Sequence, residues 1–97
     1  MRLAPEQIAS IRRAAAATFG ADTRVTLFGS RVDDNKRGGD IDLLIQPTLI
    51  DQPLLRKLRF LGLLERDLGE RKIDVIMELP HDSRPIVQVA HQTGVVL

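Results

Sequence analysis

At 97 residues the chain bounds one small domain with a modest core, and its 43% hydrophobic and 28% charged residues exclude wholesale disorder. The absence of cysteine excludes disulfides, zinc–thiolate sites and thiol catalysis together. A net charge of +1, with three Phe and no Tyr or Trp, supplies neither a global attraction to nucleic acid nor a base-stacking platform, so direct nucleic-acid binding is disfavoured.

Met1 to Pro5 carries no continuous apolar signal core and no apolar run approaches a membrane span, so a cytoplasmic protein without a membrane segment is expected. Pro5 and Glu6 suit a first helical turn, Ile8, Ile11, Ala15 and Phe19 recur at helical spacing, and Gly20 reads as the stop. Residues 23–28 predict a first strand. The polar stretch from Arg31 to Gly39 reads as loop, alone or with a short helix, and residues 40–46 predict a second strand closed by Pro47.

Gln52-Pro53 opens a second helix that runs to Gly69, with Leu54, Leu58, Leu61 and Leu68 on one stripe. Phe60 and Leu63 fall beside that stripe, where they either widen the core face or form a partner interface. Arg71 to Met77 predicts a third strand. Pro85 starts a third helix through Ile86, Val89 and Ala90, ending at Gly94 before a short apolar tail. The expected fold is α/β (α+β) in the order α-β-β-α-β-α, one domain over residues 1–97 with a three-stranded mixed sheet backed by helices.

Chemistry concentrates at two places. The apolar run into Leu27-Phe28 breaks at Gly29-Ser30, a tight turn that leaves backbone N–H groups free to face an anion. Asp40-Ile41-Asp42-Leu43 then begins a strand with two carboxylates on one face, about 6.5–7 Å apart along the chain. Such a pair repels itself, and a divalent cation is the usual remedy. Asp74, among apolar neighbours in Ile73-Asp74-Val75-Ile76-Met77, needs a compensating partner, and pairing of its strand with residues 40–46 would bring it to Asp40 and Asp42. Three carboxylates suit one or two Mg²⁺ ions that bridge to substrate phosphates, with Arg31 as a further cation. Lys36 and Arg37 belong to a charged loop with Asp33 and Asp34, read as solvated or as closing over phosphates. His81 and His91 lack metal-ligand spacing and read as surface or helix residues.

In order and spacing, Phe28, Gly29, Ser30, Asp40, Ile41, Asp42 and Leu43 resemble the signature of the polymerase-beta-like nucleotidyltransferase superfamily. The short chain with that signature near its start is similar to the minimal nucleotidyltransferases encoded beside HEPN-domain proteins as antitoxin and toxin, and the resemblance runs from the first helix to Asp74. It implies a small nucleotidyltransferase fold in which Asp40 and Asp42 ligate Mg²⁺, Asp74 is the third carboxylate that helps activate the acceptor hydroxyl, and Gly29 and Ser30 hold the triphosphate of ATP. The reaction it implies is in-line attack on the α-phosphate with release of pyrophosphate. Some antitoxins of this type transfer AMP to a tyrosine of a HEPN-type toxin, so a hetero-oligomer with such a partner is expected. Many relatives carry Ser before the first aspartate, whereas Gly39 stands here. Two alternatives stay open: an idle antitoxin that neutralises its partner by stoichiometric binding, and a nucleotidyltransferase acting on RNA or a small molecule such as an aminoglycoside.

Overall fold

A computed structural model describes residues 3–29 and 41–97. In chain order they form α1 (Pro5–Phe19), β1 (Arg24–Phe28), β2 (Ile41–Gln46), α2 (Pro53–Leu68), β3 (Ile73–Met77), α3 (Pro85–Thr93) and β4 (Val95–Val96). The strands make one four-stranded mixed sheet in the order β3-β2-β1-β4. β1 runs antiparallel to both β2 and β4, while β3 runs parallel to β2. The α+β class and the first six elements agree with the sequence; the three-stranded sheet is corrected to four. The added strand is the apolar tail, where Thr26 and Leu27 pair with Val96 and Val95. Gly94 permits that approach, because a Cβ there would lie 2.5 Å from Thr26 Cγ2 and 2.9 Å from the Leu27 carbonyl oxygen.

Strand alternation divides the core between the two faces of the sheet. Leu27, Ile41, Leu43, Ile45 and Val75 join Ile11, Phe19, Phe60 and Leu64 beneath α1 and α2. Phe28, Leu44 and Ile76 meet Val87 and Ala90 of α3 on the other face. Phe19 and Phe60 lock α1 to α2 edge-to-face, with centroids 5.5 Å apart and an interplanar angle of 67°.

Helix ends are satisfied by particular partners. Gln7 Oε1 accepts from the Ala4 N–H at 2.8 Å, and Pro5 occupies a position whose N–H has no intrahelical partner. At the other end of α1, the Phe19 carbonyl accepts from Thr48 and Leu49 N–H groups at 3.1 and 2.8 Å, and the Thr18 carbonyl accepts from Arg56 at 2.9 Å. These bonds hold the β2–α2 connection against α1.

The stripe expected on α2 is corrected. Leu54 and Leu58 are 68% and 58% exposed, whereas Phe60 and Leu64 are fully buried. At about 100° per residue, Leu54 and Leu58 lie roughly 80° and 120° round the helix from Leu64. Anchoring Phe60 against Phe19 rolls α2 so that the expected stripe meets the core only through its flank, Leu61 and Leu68. Phe60 therefore belongs to the core rather than to a partner surface. On α3, Val87 and Ala90 are the buried residues, while Ile86 and Val89 remain exposed. Among the described residues no helix is long and apolar enough to cross a membrane.

Candidate functional site

The opposed directions of β1 and β2, with β3 parallel to β2, bring the end of β1 and the starts of β2 and β3 to one rim of the sheet. There Phe28 faces Asp42, and Asp42 faces Asp74 in direct register. Directly opposed residues share a face. The three side chains consequently emerge on the α3 face, in line with Leu44 and Ile76 one step further along the strands. Neighbouring strands lie about 4.8 Å apart, which is the spacing at which two carboxylates can share one cation. Asp42 is half-buried and Asp74 exposed.

Gly29 follows with φ +77°, a left-handed conformation that disfavours any side chain. A Cβ at this position would run into Asp42 Oδ2 and come within 3.1 Å of Asp42 Cγ. The turn glycine thus makes the room in which the Asp42 carboxylate sits, a role that the break after Phe28 did not by itself disclose.

Beside the aspartates opens a cleft of about 450 Å³. Phe28, Ile76 and Ile86 make its apolar wall on the α3 side, and Lys57 and Leu61 of α2 bring the remaining edge. Among the described residues the cleft pairs an apolar surface with two carboxylates and one ammonium group, a combination suited to a ligand with both a flat apolar part and charge. Lys57 carried no motif signal. Its place four residues before Leu61 and seven before Leu64 could have marked it as a cation on the inward side of α2.

Ile86 reaches the cleft because the β3–α3 connection is tied down. Asp82 accepts from the Leu79 N–H at 3.1 Å and the Arg84 N–H at 3.2 Å, and pairs with the Arg84 guanidinium at 2.6 Å. Those bonds, the guanidinium's above all, hold the Asp82 carboxyl well below the ordinary carboxylate range. Arg84 also donates to the Met77 carbonyl at 2.6 Å, and Pro85 then starts α3. Near the C-terminal end of α3, His91 contacts Glu78, which accepts from Gln46 at 2.9 Å. His91 is therefore an anchor of the helix on the sheet.

Of the residues expected at the site, Gly29, Asp42 and Asp74 come together. Ser30, Arg31 and Asp40 lie outside the described residues, as do Lys36 and Arg37. Among the described residues no group of three or more His, Cys, Asp or Glu side chains gathers as a metal centre. The adjacent pair nonetheless fits Mg²⁺ by chemistry, since this hard cation takes one or two carboxylates and completes its shell with water and substrate phosphate oxygens. Asp42 and Asp74 are the described residues that could hold it. In comparisons with known proteins, no family model and no curated protein matches the chain.

Proposed function

We propose that the chain is a cytoplasmic, Mg²⁺-dependent nucleotidyltransferase of the minimal, polymerase-beta-like type, which transfers AMP from ATP to a tyrosine hydroxyl of a HEPN-type toxin and so acts as its antitoxin. The observation that carries this reading is the direct register of Asp42 with Asp74 on the rim where Gly29 ends the first strand. The signature of Phe28, Gly29, Ser30, Asp40 and Asp42 supports the same chemistry from the sequence.

In this reading Asp42 and Asp74 are metal-holding carboxylates, joined by Asp40 of the Asp40-Ile41-Asp42 signature. Bound Mg²⁺ supplies charge neutralisation at the phosphates and lowers the pKa of a coordinated hydroxyl. The chain's own residues supply position. Gly29 keeps the Asp42 carboxylate at the rim, while Gly29 and Ser30 offer backbone and hydroxyl donors to the triphosphate, with Arg31 as a further cation. Asp74, more exposed than Asp42, is the carboxylate that takes part in removing the proton from the acceptor hydroxyl. The acceptor oxygen forms a bond to the α-phosphorus, the bond from that phosphorus to the β-bridging oxygen breaks, and pyrophosphate leaves with its electron pair.

The test combines the purified chain, labelled ATP, Mg²⁺ and the product of the neighbouring gene. Label should move to that product, and its absence from the product with an intact chain overturns the assignment. Asp42→Asn should abolish transfer while the domain remains folded.

A second reading, an antitoxin that works by binding alone, draws support from exposed Leu49, Ile50, Leu54 and Leu58 around the start of α2. It expects Asp42→Ala to neutralise the toxin as well as the unaltered chain does, and expects Leu54→Asp, Leu58→Asp to fail.

A further inference from the structure

We propose that Lys57 holds the phosphate tail of the nucleotide in the cleft beside Asp42 and Asp74, as a nucleotide-positioning residue. The inference rests on the reading of those carboxylates as a metal–nucleotide site.

Three observations carry it. Lys57 lines the same cleft as both aspartates. It is half-buried on the inward side of α2, on the helix flank that carries Leu61 and Leu64. It also makes no hydrogen bond or ion pair with any described residue. Its neighbour Arg56 shows the contrast: that guanidinium is consumed by Asp51 and by the Thr18 carbonyl. A cation that lines a cleft beside two carboxylates and has no partner among the described residues is placed to meet a ligand.

The sign and position of that charge specify the ligand class. A divalent cation held by Asp42 and Asp74 would have its charge offset by those carboxylates, leaving none to balance a multiply anionic triphosphate. A compact ammonium on a flexible stem suits a phosphate chain, whose oxygens it can meet in several geometries. The apolar wall of Phe28, Ile76 and Ile86 leaves the base-bearing half of the ligand a different surface.

The experiment uses the full chain, Lys57→Met, which keeps most of the apolar stem, and Lys57→Arg. Binding of ATP and of AMP is measured by calorimetry in excess Mg²⁺, and Mg²⁺ binding is measured separately without nucleotide. Lys57→Met should weaken ATP by about 10- to 100-fold, the loss of a charge-assisted contact, and leave AMP within about threefold. Lys57→Arg should recover most of the ATP affinity. Unchanged ATP binding by Lys57→Met overturns the proposal and leaves the metal–nucleotide reading standing. Tighter Mg²⁺ binding by Lys57→Met with equal losses for ATP and AMP also overturns it, since Lys57 would then only offset the aspartate charge. Failure of the unaltered chain to bind either nucleotide removes the underlying reading and the proposal together.

Discussion

The space that a Cβ of Gly29 would fill is taken by the carboxylate of Asp42. Gly29→Ala is therefore expected to act twice. The left-handed backbone, at φ +77°, should cost about 1–2 kcal/mol of stability. The new methyl group should also push the Asp42 carboxylate from the rim, so Mg²⁺-dependent nucleotide binding falls by more than the loss of folding explains. Chemical denaturation and calorimetry on the same samples separate the two effects. Nucleotide affinity that stays at the unaltered value would show that Asp42 has no part in binding.

Asp42 and Asp74 stand in register on parallel strands, where one cation can meet both carboxylates. Mg²⁺ with ATP should raise the melting temperature by ligand linkage, about 2.7 kcal/mol at a hundredfold excess over Kd. For a domain of this size that is roughly 10 °C or more. Removing Mg²⁺ with EDTA should abolish the shift. Asp42→Asn and Asp74→Asn should each lose most of it while remaining folded. A full shift in either variant would detach that residue from the site.

How much of this was legible in the sequence depends on whether the signal was local. The rim was legible because Gly29, Asp42 and Asp74 each break a local pattern, a strand that stops at glycine or an apolar run that admits a carboxylate. Their convergence followed only on condition that the strand of Asp74 pairs with residues 40–46, and the register itself comes from the parallel pairing of β2 with β3. The roll of α2 was not legible, since its apolar residues spread too far round the helix for spacing alone to choose a face. The edge-to-face contact of Phe19 with Phe60 makes that choice, and it joins residues far apart in the chain. The pairing of Val95 and Val96 with β1 was hidden for a related reason: two residues carry no period, and the approach depends on how closely Gly94 passes Thr26. Lys57 read only as one of the basic residues of the second helix, because its significance comes from the cleft it lines.

The roll of α2 makes a direct prediction about packing. Leu64 is fully buried in the α1–α2 core, so Leu64→Ala should destabilise by about 2–5 kcal/mol, the cost of lost burial and a cavity. Leu58, 58% exposed, should tolerate Leu58→Ser within about 0.5 kcal/mol. Urea unfolding of both variants checks the order. A reversal would mean that Leu54 and Leu58, rather than Phe60 and Leu64, face the core.

The Asp82–Arg84 pair sets a pH dependence with a definite sign. Hydrogen bonds from the Arg84 guanidinium first, and the Leu79 N–H next, depress the folded carboxyl below its unfolded value of about 3.9. A group shifted down stabilises the fold in its charged form. The contribution is thus complete above about pH 5 and is lost as the pH falls through 4 toward the folded value. Asp82→Asn cannot titrate, so it should melt lower than the unaltered chain at pH 7, and the gap between the two should begin to narrow as the pH falls below about 4. Because Arg84 also holds the Met77 carbonyl and precedes Pro85, the same variant should loosen the start of α3 and the Ile86 wall of the cleft. Amide exchange at residues 86–89 should quicken in Asp82→Asn at neutral pH. Parallel melting curves across the acid range, with unchanged exchange, would mean that the loop holds its shape without the carboxylate.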